Sequence, residues 1–156
     1  ETFDQVVRVT FLDEDGEMRT RSREEIEAHY RNVPELRRNY ALKAVFRGAP
    51  ASSDDIRVRM VESRHHRRTT QPVAASSGCI FKNPEGIGAG KLIEELGLKG
   101  KSVGKAEVSE VHGNFIVNEG GATATDVRRL IELCRTAVRE RFGITLREEL
   151  IYLGEF

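Results

Sequence analysis

Long apolar runs are missing from this chain, cysteine is scarce, and neither sign of charge prevails. Each shortage excludes something. No stretch approaches the roughly 20 apolar residues that a helix needs to cross a bilayer, so no membrane partner is expected. The two cysteines, Cys79 and Cys134, stand far apart in 156 residues. A disulfide framework is therefore not expected, and a reducing cytoplasm is the simplest home. Lys plus Arg and Asp plus Glu both number 25. A net charge of zero gives no global pull toward nucleic acid or an anionic membrane. The first residues, ETFDQVVRVT, have neither the charged head nor the apolar body of a signal peptide. No Cys/His spacing suits zinc, and His65-His66 is a bare pair on a basic segment, so no metal is expected. There is no internal repeat and no low-complexity segment.

What is present suffices for a core. The chain is 38% hydrophobic and 32% charged, and its length suits one medium domain, or one domain plus a piece of another. QVVRVTFLD (5–13) alternates apolar with polar and is rich in β-branched residues, which predicts a strand. DEDG is a turn and EMRTR a returning strand, so a hairpin is expected. SREEIEAHY predicts a short helix, capped by Ser22 with Glu25 three residues on. A loop around Pro34 follows, then a strand from about 40 to 47. A helix is expected from Ser53 with Asp54 and Asp55 in its first turn, Ile56, Met60 and Val61 on a narrow apolar face, and Gln71-Pro72 at its end. A seam is expected between about 48 and 75.

Beyond it glycines cluster. AGKLIEELG predicts a short helix with Leu92, Ile93 and Leu96 on one face and Gly97 as its stop. Two short strands are expected at about 106–109 and 114–118. The clearest element is TDVRRLIELCRTAVRERFG, with Thr125 as cap, Val127, Leu130, Ile131, Cys134, Val138 and Phe142 at helical spacing, and Gly143 as stop. LREELIYLGEF predicts a final strand. Elements in this order, without regular βαβ alternation, argue for an α+β fold with a small antiparallel sheet packed on helices.

Several stretches could carry chemistry. GIGAGKL (86–92) is not a P-loop, because Glu85 and Leu92 stand where a glycine and a Ser or Thr are needed. Gly90 and Lys91 opening a helix could still hold a phosphate; glycines for tight packing are the alternative. RHHRR (64–68) reads as a solvated helix face. Cys134 falls on the apolar stripe of the long helix and is expected in the core. Cys79 instead lies in SSGCIFKNPEG (76–86), a polar loop that puts a thiol, Lys82 and Asn83-Pro84 within a few positions. Spacing leaves it as either a core or strand-edge residue or a functional one. His112 is either a ligand or base, or a hydrogen-bonded structural histidine. In a strand at 149–153, Glu149 and Ile151 share a face, so the carboxylate is expected to be partly buried.

SSGCIFKNP, AGKLIEELGLKG, AEVSEVHGNFIVN, ATATDVRRLIELCRTAVRERFGITL and EELIYLGEF occur here in order. Together they resemble the C-terminal, substrate-binding part of the UDP-N-acetylenolpyruvylglucosamine reductases (UDP-N-acetylmuramate dehydrogenases), in their compact subtype. YRNV (30–33) is similar to the family's Tyr-Arg-x-Ser motif, with Val33 in place of the serine. Arg147-Glu148 stands where the family often has Glu-Pro. The resemblance implies a flavoenzyme of peptidoglycan precursor synthesis in which NADPH reduces FAD. Hydride then passes to C3 of the enolpyruvyl group of UDP-N-acetylenolpyruvylglucosamine. It implies that residues 1–50 are the tail of the FAD-binding domain, 51–75 a connecting helix and linker, and 76–156 the substrate-binding domain. The glycine-rich segment that holds most of FAD in the family has no match here, so the stretch alone is expected to lack reductase activity. A UDP-sugar-binding module without redox activity is the alternative.

The resemblance also assigns residues. Cys79 matches the family's proton donor, and a thiol with an unperturbed pKa near ~8.5 is a feasible acid. Arg31 matches the arginine that holds the enolate charge. Glu149 matches the catalytic glutamate, which as a neutral acid could donate a hydrogen bond to the enol carboxylate. Lys82 and Asn83 are similar to substrate contacts. Tyr30, Lys91 and His112, which fall in the matching stretches, complete the expected substrate-binding set.

Overall fold

In the computed structural model, which describes residues 2–154, β1 (Val6–Leu12) and β2 (Met18–Ser22) form the expected hairpin. Its turn is built by Asp13, whose Oδ1 accepts from the backbone N–H of Asp15 (3.1 Å) and Glu17 (2.9 Å). Thr10 and Thr20 pair across it, hydroxyl to hydroxyl, at 2.8 Å. β3 (Tyr40–Phe46) lies antiparallel on the other side of β1, giving the order β2-β1-β3. A small cluster of Val6, Val9, Phe11 and Ile26 is buried, with Phe3 and Val33 against it. These elements belong to a first unit, Glu1–Asp55, and the rest to a second, Ile56–Phe156.

SREEIEAHY does not make the short helix that its cap predicts. It makes one 3₁₀ turn, Arg23–Glu25, in which the Glu25 carboxylate accepts from Ser22 N–H at 2.7 Å. Ile26 then turns extended and is buried. A capping box sets where a helix starts, not how far it runs. Ile26 is the one residue of that segment with a core to enter. After Pro34 the chain makes a single helical turn, α1 (Glu35–Arg38), within the expected loop. α2 (Ser53–Thr70) forms as predicted, capped by Ser52 Oγ, which accepts from Asp55 N–H at 3.1 Å. Its Ile56, Met60 and Val61 are exposed rather than packed.

The second unit is built on an antiparallel sheet in the order β4-β7-β6-β5. The strands are β4 (Ser76–Cys79), β5 (Ser102–Val103), β6 (Ala106–Val108) and β7 (Phe115–Asn118). α3 (Ala89–Glu95) and α4 (Ala124–Phe142) complete its core. Leu130, Ile131, Cys134 and Val138 of α4 and Leu92 and Ile93 of α3 are buried with Ile80, Phe81, Val108 and Ile116. The cap of α4 lies two residues before the expected Thr125. Thr123 takes that role, its hydroxyl accepting from Asp126 N–H (3.1 Å) while the Asp126 carboxylate accepts from Thr123 N–H (2.9 Å). The second of these bonds is the main cause that holds the Asp126 carboxyl below its ordinary pKa. Gly143 closes the helix in the left-handed conformation, as predicted.

The final strand does not form. Lys82 N–H donates to Arg147 O, and Glu149 N–H to Ile80 O, both at 2.8 Å, around a single bridge between Phe81 and Glu148. The next rung would pair residue 151 with Gly78, whose φ of 85° turns the partner strand away. Ile151 and Leu153 are accordingly 85% exposed, and the expected strand face shared by Glu149 and Ile151 does not exist. Residues 155 and 156 of that expected strand lie outside the described residues. Among the described residues no helix is long and apolar enough to cross a membrane.

Candidate functional site

The stretch expected to be a polar loop begins as a strand. β4 pairs with β7 through Ser76–Val117 and Cys79–Phe115, with a bulge between them at Gly78. Past Cys79 the chain is gripped from both edges. On one side Ile80 N–H donates to Asn114 O at 2.9 Å. The Asn114 carboxamide accepts from Phe81 N–H (2.9 Å) and donates to Phe81 O (2.8 Å), standing in for a strand neighbour. On the other side run residues 147–149, through the bonds to Lys82 and Ile80. Asn114 is only 2% exposed, so both halves of its amide are satisfied where leaving them unmade would cost most.

This arrangement brings Cys79 and Glu149 together at the level of the backbone. The N–H of Glu149 is bonded to the carbonyl of the residue that follows Cys79. Both are half-buried. Lys82, also half-buried, lies three residues past Cys79 on the same gripped segment. A thiol, a carboxyl and an ammonium thus share one short, well-held stretch. Cys134 is different. Burial pushes its thiol up to about 11, which leaves it inert as an acid or nucleophile.

The other expected residues fall into distinct positions. Asn83 is exposed, and its Oδ1 accepts from Ala89 N–H at 3.0 Å. That bond closes the 83–89 loop onto the start of α3. Lys91 is exposed in the first turn of α3. Gly90 beside it is there for packing: a Cβ would come within 2.7 Å of the His112 ring, and one on Gly113 within 2.6 Å of Gly90 O. His112 is half-buried, edge-on to Phe115 with ring centroids 5.0 Å apart. Its Nδ1 accepts from Asn114 N–H at 3.1 Å, which in the neutral ring places the proton on Nε2. The histidine is thus part of the turn that presents Asn114.

Tyr30 and Arg31 belong to the first unit. They occupy the corner of a tight turn closed by His29 N–H to Asn32 O (2.8 Å) and Asn32 N–H to His29 O (3.1 Å). Arg31 has φ 55°, and no other non-glycine residue among those described is left-handed. Its guanidinium lies 5.6 Å from the centre of the Tyr30 ring, which is half exposed. A bulky residue kept in a strained corner is a common mark of a functional position.

Sequence reasoning missed three contributors. Asn114 gave a weak signal, a carboxamide set directly before the apolar run of β7. Ser109, 2% exposed, accepts through its hydroxyl from Val111 N–H (3.1 Å) and His112 N–H (3.4 Å), shaping the same turn. Arg135 gave none. It looks like one more solvated charge on α4, yet its guanidinium pairs with Glu148, which also accepts from the Tyr152 hydroxyl.

Residues 71–153 match the family described as UDP-N-acetylenolpyruvoylglucosamine reductase, C-terminal domain. A relative of that name from Agathobacter rectalis is 44% identical over 98% of this chain and 49% of its own length. One from Geobacter metallireducens is 43% identical over 90% of this chain and 47% of its own. One from Bacillus licheniformis is 39% identical over 96% of this chain and 83% of its own. The chain spans about half the length of the first two. A solved structure, the UDP-N-acetylenolpyruvylglucosamine reductase (MurB) of Thermus caldophilus, superposes with a TM-score of 0.80 at 36% identity. That match covers 94% of this chain and 52% of the other.

Proposed function

Because the chain belongs to the UDP-N-acetylenolpyruvoylglucosamine reductase family, we propose that it holds the enolpyruvyl substrate and supplies the proton for its reduction to UDP-N-acetylmuramate. The observation that carries this reading is the bond from Glu149 N–H to Ile80 O, which sets the carboxyl segment beside Cys79. The reaction adds hydride at C3 of the enolpyruvyl group and a proton at C2. A flavin reduced by NADPH would supply that hydride. As it arrives, the C2–C3 π electrons move toward C2 and the carboxylate, giving an enolate. The Cys79 thiol gives its proton to C2 and is left as a thiolate, which solvent reprotonates. Glu149 is assigned to a hydrogen bond with the enolate carboxylate. Arg31, in the first unit, is assigned a positive charge toward the substrate. Lys82, Lys91, Asn83, Tyr30 and His112 are assigned to binding, with the two lysines suited to the diphosphate.

The flavin itself needs a loop of backbone N–H groups around its pyrophosphate. In the first unit the glycines are Gly16, in the hairpin turn, and Gly48, after β3, and they build no such cradle. The described residues of that unit do not by themselves fit the group, so the roles assigned to this chain are confined to the substrate, its proton and its charge. A UDP-sugar-binding module without redox activity draws on the same observation. Two measurements separate the readings. Calorimetric titration of the chain with UDP-N-acetylglucosamine tests binding. Substrate-dependent NADPH oxidation by the flavin-loaded enzyme tests chemistry, with Glu149→Gln expected to slow it by on the order of 10²-fold or more. Wild-type turnover in Glu149→Gln would remove that residue from the mechanism.

A further inference from the structure

Glu149 sits at the open end of a ladder that has two backbone bonds and then stops. Ladder ends with so few bonds fray unless something else ties them down. The tie comes from the neighbouring residue. Glu148 forms the bridge with Phe81, and its carboxylate is held from two sides. One oxygen takes the guanidinium of Arg135, and the other accepts from the Tyr152 hydroxyl. Arg135 is steadied in turn by Glu132, one turn back on α4, at 3.2 Å. The Arg128 guanidinium covers the Tyr152 ring at 5.9 Å. Arg135 follows Cys134, in the stretch of α4 that is anchored in the core by Ile131, Cys134 and Val138. The side chains of Arg135 and Glu148 are 29% and 21% exposed, so water screens their contact less than it would a fully solvated pair.

We propose that Arg135 is a positioning residue for Glu149, transmitting the rigidity of α4 through the Glu148 carboxylate to the segment that carries the catalytic carboxyl. The proposal rests on the reading of Glu149 given above. It differs from a plain stabilising ion pair in one respect. The cost of breaking it should fall on the geometry at Glu149, and hardly at all on the core of the second unit.

Arg135→Met keeps the aliphatic stem on α4 and removes the charge. In the chain itself, the Glu149 amide should then exchange its hydrogen about 3- to 5-fold faster, the range set by a partly exposed ion pair. The amides of Leu130 and Val138 should keep their wild-type rates. In the flavin-loaded enzyme, reoxidation by substrate should slow by a similar factor, while reduction by NADPH stays unchanged. Glu148→Gln should act in the same direction, and the double variant should be no slower than the worse single one. Arg135→Lys should recover part of the loss. Unchanged exchange at Glu149, or effects that simply add in the double variant, would overturn the proposal. If Glu149→Gln slows reoxidation and Arg135→Met does not, the proposal fails alone. If Glu149→Gln reoxidises at the wild-type rate, the reading of Glu149 and the proposal fall together.

Discussion

The two units of the chain secure their important residues by different means. The second buries a continuous core of two helices and a sheet, and hangs Cys79, Lys82 and Glu149 on backbone that this core immobilises. Among its described residues the first buries Val6, Val9, Phe11 and Ile26 and leaves Tyr40, Leu42 and Phe46 of β3 exposed. Its one conspicuous feature is local, the left-handed Arg31 in a turn closed by two backbone bonds. The difference teaches where mutations should separate stability from function. In the second unit the two are tied together, because the core is what aims the groups. In the first they should come apart, because the turn stores strain that the small core does not need.

The sharpest way to break the comparison is Leu130→Asp. Leu130 is fully buried in α4, and an unpaired carboxylate there costs several kcal/mol, on the order of a domain's whole stability. Amides of α4, β6 and β7 should lose their protection from hydrogen exchange together. A variant that melts at the wild-type temperature would show that α4 does not hold the second unit.

A smaller effect comes from Cys134. Its pKa lies above the ordinary 9.0, at about 11, because burial disfavours the thiolate. Below the ordinary value both folded and unfolded chains hold this proton, and the group is neutral toward stability. As pH rises from 9 toward 11 only the unfolded chain releases it, so stability falls, by about 2–3 kcal/mol in all. Urea midpoints at pH 8 and pH 10.5 should show the drop in wild type and a shallower one in Cys134→Ala. Parallel pH profiles would mean that the thiol is not desolvated.

The smallest effect on stability is expected at Arg31. Glycine adopts φ 55° without penalty, whereas arginine pays about 1 kcal/mol there. Arg31→Gly should therefore melt no lower than wild type, or slightly higher, while turnover with the enolpyruvyl substrate drops. A melting temperature lowered by several degrees would reassign Arg31 to structure and erase the contrast between the units.

The elements that the sequence revealed are those whose cause is local. The stripe of Leu130, Ile131, Cys134 and Val138 declares a helix by its period alone. Its start was misread by two residues because two threonines compete. Thr123 wins since Asp126 stands three residues on, whereas Thr125 has Arg128 there. The last strand was misjudged because alternation describes one strand and says nothing of its partner, which Gly78 bends away. The same limit applied at the site. Cys79, Arg31 and Glu149 were legible as parts of family motifs. Asn114 was not, since its carboxamide answers to the backbone of Phe81, 33 residues away. Nor was Arg135, whose partner Glu148 lies on a separate segment of the chain.

The central claim is that Cys79 delivers the proton. Rapid mixing of the reduced, flavin-loaded enzyme with the enolpyruvyl substrate tests it most directly, with flavin absorbance reporting reoxidation. Cys79→Ala should slow this step by roughly 10²–10⁴-fold, the range for loss of a general acid, while reduction by NADPH stays near the wild-type rate. Cys79→Ser, which keeps a proton at the same place, should remain active. Reoxidation of Cys79→Ala at the wild-type rate would contradict the account and move the search for the donor to Ser76 and Ser77.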